Sequence, residues 1–464
     1  MSELNLPLIS HRSECRSRSS FPSTGGSKWT SPNPPEWITR EAEPMRYHLP
    51  HCGYSRMSSR PFLSLNQATS ARSKRLQSVD ILRGAIMMLM AIDHIRDFVH
   101  RGAMQFSPTD LTRTTAPIFL TRWITHFCAP VFFLTAGIGA FLWMSRGNHT
   151  KRELSWFLLT RGLWLILIEN TILRVVMFSQ VSYRGSVIIL LILWGLGASM
   201  IALAALAHLP IRVLAPLSLL VIVIHNAFDP LTADKFGRFA WLWDILHQQG
   251  LFTVAGFNFV TAYPIVPWIF VMSAGFCLGT VFLWDLARRQ SFLLRLGLTM
   301  TAAFFVVRGI NIYGDPSRWI HQSTATLTVL SFLNVTKYPP SLEFLLMTLG
   351  PAFIVLSRLE NMGLSEANPF VVFGRVPFFY YATHLFVIHL GSILMNFVYY
   401  RHTSFLLLPA PSMGGDPKLF PPDFGFPLWV VYAFWLATLA ALYPACLWFS
   451  RLKKRRRDWW LSYL

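Results

Sequence analysis

APIFLTRWITHFCAPVFFLTAGIGAFLWMS, residues 116–145, is the stretch whose reading decides the fold. After Arg122 it runs to its end without an Asp, Glu, Lys or Arg. An α-helix of that length crosses the roughly 30 Å hydrocarbon core of a bilayer at about 1.5 Å per residue. Working outward, similar apolar segments lie at roughly 79–100, 153–177, 186–208, 211–228, 264–287, 292–313, 341–358, 369–400 and 425–450. Composition agrees: hydrophobic residues make up 53% of the 464, and charged residues only 14%, against roughly 25% in soluble domains. Mean hydropathy is +0.42. The expected fold is therefore all-α, a polytopic transmembrane bundle of about ten helices, with the lipid bilayer as its principal solvent. The segment 236–262, with Trp241, Trp243, Asp244, His247, Gln248 and Gln249, is too polar to span and reads as interfacial.

The flanks differ from this body. Residues 1–75 are rich in Ser, Pro, Arg and Gly without hydrophobic period, and read as a disordered basic tail. A transit-like segment, or a start at Met45 or Met57, is the alternative. Residues 76–450 form the membrane domain, and residues 451–464 a basic C-terminal tail. Lys and Arg in both tails and in alternate loops place both termini in the cytoplasm by the positive-inside rule, which an even helix count requires. The net charge of +19 is thereby accounted for, and nucleic acid is not an expected partner. Cys15, Cys52, Cys128, Cys277 and Cys446 form no Cys-x-x-Cys pair, so neither a zinc framework nor a disulfide framework is expected.

Ionisable residues inside apolar segments are costly and mark function. The first segment ends Asp93-His94-Ile-Arg96-Asp97-Phe-Val-His100. Helical spacing puts Asp93, Asp97 and His100 on one face and makes His94 and Asp97 neighbours. A carboxylate-oriented imidazole suits a general base. The bland reading is a helix end solvated at the outer interface, and it is preferred for His100. His126, about one turn beyond Arg122 in the apolar run that follows it, matches His94 in depth and is read equally as a pocket or a packing residue. In the ninth segment His384 falls near the midplane. His389 lies about 140° away around the helix, so the two do not share a metal ion and no metal is expected there. On the cytoplasmic half, Arg83, Arg161 and Arg375 suit phosphates, although Arg83 has Asp80 one turn away as a partner.

These residues carry a resemblance. Arg75-Leu-Gln-Ser-Val-Asp80-Ile-Leu-Arg83-Gly84 with Asp93-His94 resembles the heparan-α-glucosaminide N-acetyltransferase family and its uncharacterised bacterial branch. So do His126-Phe-Cys-Ala-Pro130, Tyr263-Pro-Ile-Val-Pro267-Trp268, Lys337-Tyr338-Pro339-Pro340, Gly374-Arg375-Val-Pro377 and the His384 to His389 stretch, over roughly residues 75–450. The resemblance implies a bacterial inner-membrane acyltransferase that moves acetyl from cytosolic acetyl-CoA to an extracytoplasmic sugar amine or hydroxyl. On that reading His94, oriented by Asp93 or Asp97, deprotonates the acceptor, and Arg83, Arg161 and Arg375 hold the CoA phosphates. Lys337 and Tyr338 face the acceptor, with a turn lysine at the interface as the bland alternative. A ping-pong route through His94 or His126 stays open, as does a homodimer. The rival activity is a proton-coupled small-molecule transporter using the same His and Asp residues; carriers are often built of related halves, and none is evident. A catalytically silent scaffold is the third reading.

Overall fold

The computed structural model describes residues 76–178, 187–401, 408, 411–413, 415–456 and 458–463. The basic N-terminal tail, with Cys15 and Cys52, lies outside the described residues. The body is an all-α helix bundle. Eight of its helical segments among the described residues are long and apolar enough to cross a membrane: Ala116–Gly147, Lys151–Met177, Ile211–Phe228, Val266–Leu283, Leu286–Ile310, Leu342–Leu359, Pro377–Tyr400 and Leu428–Arg455. Two more of the expected segments are helical for different reasons. Helix α1 (Gln77–Val99) is long but interrupted by ionisable residues, and α6 (Ile192–Leu206) is apolar but only 15 residues long.

Two of the expected continuous helices are broken, each by a proline. Residues 116–145 split into α2 (Ala116–Thr125) and α3 (Cys128–Gly147). Pro130 lacks an N–H and its ring crowds the carbonyl four residues back, which is that of His126. The segment 369–400 splits into α13 (Pro369–Arg375) and α14 (Pro377–Tyr400) around Val376, held at φ −128° and ψ 50° by the following proline. Arg375 therefore ends a short helix rather than lying inside a long one.

Helix α1 runs through the centre, packed on α2, α3, α12 (Leu342–Leu359), α13, α14 and α15 (Leu428–Arg455). Glycines let the backbones approach. A Cβ on Gly84 would sit 1.8 Å from the Phe370 carbonyl oxygen, and one on Gly374 1.8 Å from that of Asp80. The two motif glycines thus interlock α1 with α13, as small residues do at membrane helix crossings. Around this centre α3 packs on α9 (Val266–Leu278), α4 (Lys151–Ile168) on α6, α7 (Ile211–Ile224) on α9, and α10 (Leu286–Ile310) on α12. Leu163, Leu219, Phe305 and Leu394 remain exposed on outward faces, as lipid contact requires.

Sheet was not expected. Val187–Leu190 (β1), the first residues of the 186–208 segment, are a strand; it pairs parallel with β3 (Phe257–Thr261), which pairs antiparallel with β2 (Gly250–Val254). The Val-Ile-Ile run favours extended backbone. Ala255 and Gly256 have positive φ, which makes the two-residue β2–β3 turn. The polar 236–262 stretch thus supplies a short helix, α8 (Ala240–Leu246), and a hairpin. At the other end, the expected tail 451–464 is largely structured: α15 continues to Arg455, Leu461 is buried, and the Tyr463 hydroxyl bonds Thr160 Oγ1 at 3.0 Å.

Candidate active site

The C-terminal half of α1 carries the densest set of ionisable groups. Asp93 sits between two guanidiniums: Arg122 of α2 donates to its Oδ2, and Arg96 Nη2 lies 3.0 Å from its Oδ1. Arg96 also donates to Asp97 Oδ1 at 2.7 Å. Both carboxylates are thus engaged by arginines, and neither makes a hydrogen bond to His94. The expected Asp-oriented His94 is corrected accordingly. On a helix an i, i+3 arginine competes for the same carboxylate as the histidine, and a charge-assisted bond is the stronger one.

The oriented imidazole is instead His384. Two turns after Pro377 and fully buried, its Nδ1 lies 2.6 Å from the Tyr381 carbonyl oxygen and 3.1 Å from that of Tyr380. A carbonyl only accepts, so Nδ1 carries the proton and Nε2 keeps its lone pair. That Nε2 is buried without a partner. The ring of His94, itself partly exposed, lies 5.2 Å from the His384 ring centroid and 6.4 Å from that of Tyr381. His126 stands at the α2–α3 break, 2% exposed, with Nδ1 unpartnered and its ring 5.5 Å from Phe344. His389 packs on Phe98, with ring centroids 5.1 Å apart, away from this group. His100 closes α1, its Nδ1 accepting from the Ala103 N–H at 3.2 Å; it is 4% exposed, where a solvated helix end was expected.

A loop brings the remaining groups. Lys337 is within electrostatic reach of Asp93, His94 and His126, and its Nζ lies 5.1 Å above the Tyr338 ring. The Tyr338 and Tyr263 hydroxyls share a 3.3 Å hydrogen bond. Burial pushes the Tyr338 phenol up, but Lys337 and Arg122 outweigh it and hold the phenol below the ordinary tyrosine value. The loop is firmly held. Asp315 accepts from the Thr336 N–H at 2.7 Å and from the Ser341 hydroxyl at 2.6 Å. Arg308, 1% exposed, pairs with Glu343 at 2.8 Å and donates to the carbonyls of Ser317, Ser331, Phe332 and Asn334.

The structure thus brings the expected residues Asp93, His94, His126, Lys337, Tyr338 and His384 into one neighbourhood, with Asp97 at its edge through Arg96. Arg122, Tyr263 and Tyr381 belong to it and were not singled out; an arginine in an apolar segment facing a lone intramembrane carboxylate was the available signal. Glu169 was missed as well. It accepts from the N–H groups of Leu191, Leu193 and Trp194 at 2.8–3.1 Å, anchoring the start of α6, and lines a cleft with Arg174 and Tyr381.

The three cytoplasmic-half arginines are not brought together in the same way. Arg83 donates to the Thr135 carbonyl, Arg161 lies 4.1 Å over the Phe157 ring, and Arg375 pairs with Asp80 at 3.8 Å and Glu366 at 3.5 Å. Asp80 is met by Arg375 from α13.

The sequence profile described as heparan-alpha-glucosaminide N-acetyltransferase, catalytic, matches residues 75–321. The matched region includes Asp93, His94, Arg122, His126 and Tyr263, and stops short of Lys337 and His384. No curated protein sequence matches the chain. With more than half of its length matched, this integral membrane protein belongs to the heparan-α-glucosaminide N-acetyltransferase catalytic family.

Proposed function

We propose that the chain transfers an acetyl group from cytosolic acetyl-CoA to an amine or hydroxyl of an extracytoplasmic sugar, at the His94–His384 pair. The observation that carries the reading is His384: an imidazole fixed in one tautomer by two carbonyls, with its basic nitrogen buried, free, and beside a second imidazole. On this reading His384 Nε2 or His94 takes the proton from the acceptor as its nitrogen or oxygen attacks the thioester carbonyl. The new N–C or O–C bond forms, the C–S bond breaks, and the proton is returned to the leaving thiolate. Lys337 and the Tyr338 hydroxyl are donors suited to the developing oxyanion or the acceptor. Arg122 and Arg96 both pair with Asp93 and offset its charge. Arg83, Arg161 and Arg375 border the cytoplasmic half; CoA phosphates would have to displace the present partners of Arg375.

The test is transfer from labelled acetyl-CoA by protein in liposomes, offered glucosamine-type and hydroxyl acceptors. Loss of a general base costs about 10²–10⁴-fold in rate, so His384→Ala lowers kcat by that amount, and His94→Ala by a comparable one. Lys337→Met raises KM for the acceptor more than it lowers kcat. Transfer that survives both histidine changes would remove the pair from the chemistry. Absence of transfer and of CoA binding in the wild type, with proton-coupled solute uptake, would replace the proposal by the transporter.

A further inference from the structure

A second histidine group lies apart in sequence from these residues. His225 closes α7, Asp229 is one helical turn further on, and His247 follows α8. One ligand atom from each lies within 4.8 Å of the other two. His247 Nε2 is 3.1 Å from Asp229 Oδ1. His225 and His247 are 2% and 5% exposed, and the Asp229 side chain 15%.

Three features distinguish the group from a hydrogen-bonded packing cluster. First, both ring nitrogens of His225 are buried and neither makes a well-formed hydrogen bond, the Pro340 carbonyl bearing on one of them. At least one nitrogen of this buried imidazole is left without a partner, which is rare unless something else occupies it. Second, the carboxylate is already set. Asp229 Oδ2 accepts from Asn226 Nδ2 at 2.8 Å, leaving Oδ1 for the histidines. Third, the spacing suits an ion. Metal–ligand bonds of about 2.0–2.1 Å in a tetrahedron put ligand atoms about 3.3 Å apart; the His247–Asp229 separation is 3.1 Å, and all three atoms lie within 4.8 Å of one another.

We propose that His225, Asp229 and His247 bind one divalent transition-metal ion of the zinc type, with a fourth position left for water or another small ligand. Two imidazoles and one carboxylate are an established zinc donor set, whereas calcium and magnesium take oxygen donors. Ionised Asp229 supplies the charge, and neutral His225 and His247 supply nitrogen lone pairs. In the ion-free state His247 Nε2 donates to Asp229 Oδ1, and the ion replaces that proton. The ion would connect the end of α7 to the segment after α8. Through Asn226, whose Oδ1 accepts from the Leu342 N–H at 2.8 Å, it would also brace the start of α12 beside the Lys337 loop. The proposal does not depend on the acetyl-transfer reading.

The test uses full-length protein without a polyhistidine tag, purified in detergent, stripped with chelator and titrated with Zn²⁺. Metal per chain is measured after desalting, and Co²⁺ is used in parallel for its visible absorption. The expected result is about one ion per chain with a Co²⁺ spectrum of low-coordinate type. Asp229→Asn and His247→Gln each weaken binding by at least about tenfold, the least that disturbing even an outer-shell partner does. His384→Ala leaves it unchanged. Wild-type protein that holds no more metal than the His225→Ala/Asp229→Asn/His247→Gln variant overturns the proposal, as does loss of the ion in His384→Ala. Should the triple variant fail to fold, wild type alone decides. Added Zn²⁺ must raise its thermal midpoint in a concentration-dependent way, and a flat response refutes the site.

Discussion

Replacing Arg308 by methionine tests whether the loop that carries Lys337 and Tyr338 is built on one buried cation. Arg308 and Glu343 are each 1% exposed, so neither charge has water to fall back on. Removing one member of a buried pair costs about 3–5 kcal/mol. Here the carbonyls of Ser317, Ser331, Phe332 and Asn334 lose their donor as well, at about 1–3 kcal/mol for each that stays dry. Some will be rehydrated, so about 4 kcal/mol is the lower bound for Arg308→Met. Glu343→Gln keeps an acceptor and leaves Arg308 its carbonyls, so its cost is nearer 1–3 kcal/mol. The Arg308→Met/Glu343→Leu double variant buries no charge and costs less than the sum of the single changes. The assay is thermal unfolding in detergent followed by size-exclusion fluorescence. At about 2 °C per kcal/mol for a chain of this size, Arg308→Met lowers the midpoint by roughly 8 °C and Glu343→Gln by roughly 2–6 °C. A midpoint for Arg308→Met within about 2 °C of wild type, or the reverse order of the two single variants, would refute the reasoning.

Other outcomes follow from the same contacts. Gly84→Ala drives a methyl into the Phe370 carbonyl and cannot be relieved by a rotamer change; it should cost at least about 3 kcal/mol by overpacking, read as lost monodisperse protein, whereas Gly309→Ala, with open space around it, should be silent. Burial, aided by Arg96, lowers the His100 imidazole to about 4. The unfolded chain then takes up the proton first, so stability contributed by neutral His100 is present above about pH 6.5 and is lost as pH falls towards 4. His100→Gln should flatten that part of the midpoint-versus-pH curve. Arg122→Gln leaves Asp93 with Arg96 alone. In a double-mutant cycle with Asp93→Asn, the loss of transfer activity in the pair should fall short of the product of the single losses by at least about threefold, and a strictly multiplicative result would show that the contact is not used.

Much of the fold was legible because lipid leaves the backbone few options. An apolar run of bilayer length has to be a helix, so the segment at 341–358 was found to within a residue at each end, while the helix expected at 292–313 begins six residues earlier, at Leu286. Breaks were harder. Pro130 and Pro377 stand in plain view, yet membrane helices often carry proline unbroken, and only packing decides which happens. The strand at 187–190 was hidden inside an apolar run because its partner lies some 70 residues on, and pairing at that distance leaves no local period. For the site, residue type singled out His94, His126, Lys337 and His384, since each is costly where it stands. Partner choice was not readable. Helical spacing put His94 beside Asp97, but a third residue, Arg96, and a residue on another helix, Arg122, had the stronger claim. The His225, Asp229 and His247 group was missed because His225 and His247 lie on either side of α8 and meet only once the chain has turned back.

Helix α6 has a consequence for the membrane itself. Its 15 residues reach about 22 Å, short of a hydrocarbon layer of roughly 30 Å. It is preceded by β1, four residues and about 13 Å of ribbon. Among the described residues β1 is an edge of its sheet, and one side of that ribbon has no described strand beside it. Fatty-acid tails cannot hydrogen-bond such an edge, whereas headgroups and water can. A helix this short matches a thin hydrocarbon layer better than a thick one, and headgroup depth is where the strand edge before it can be satisfied.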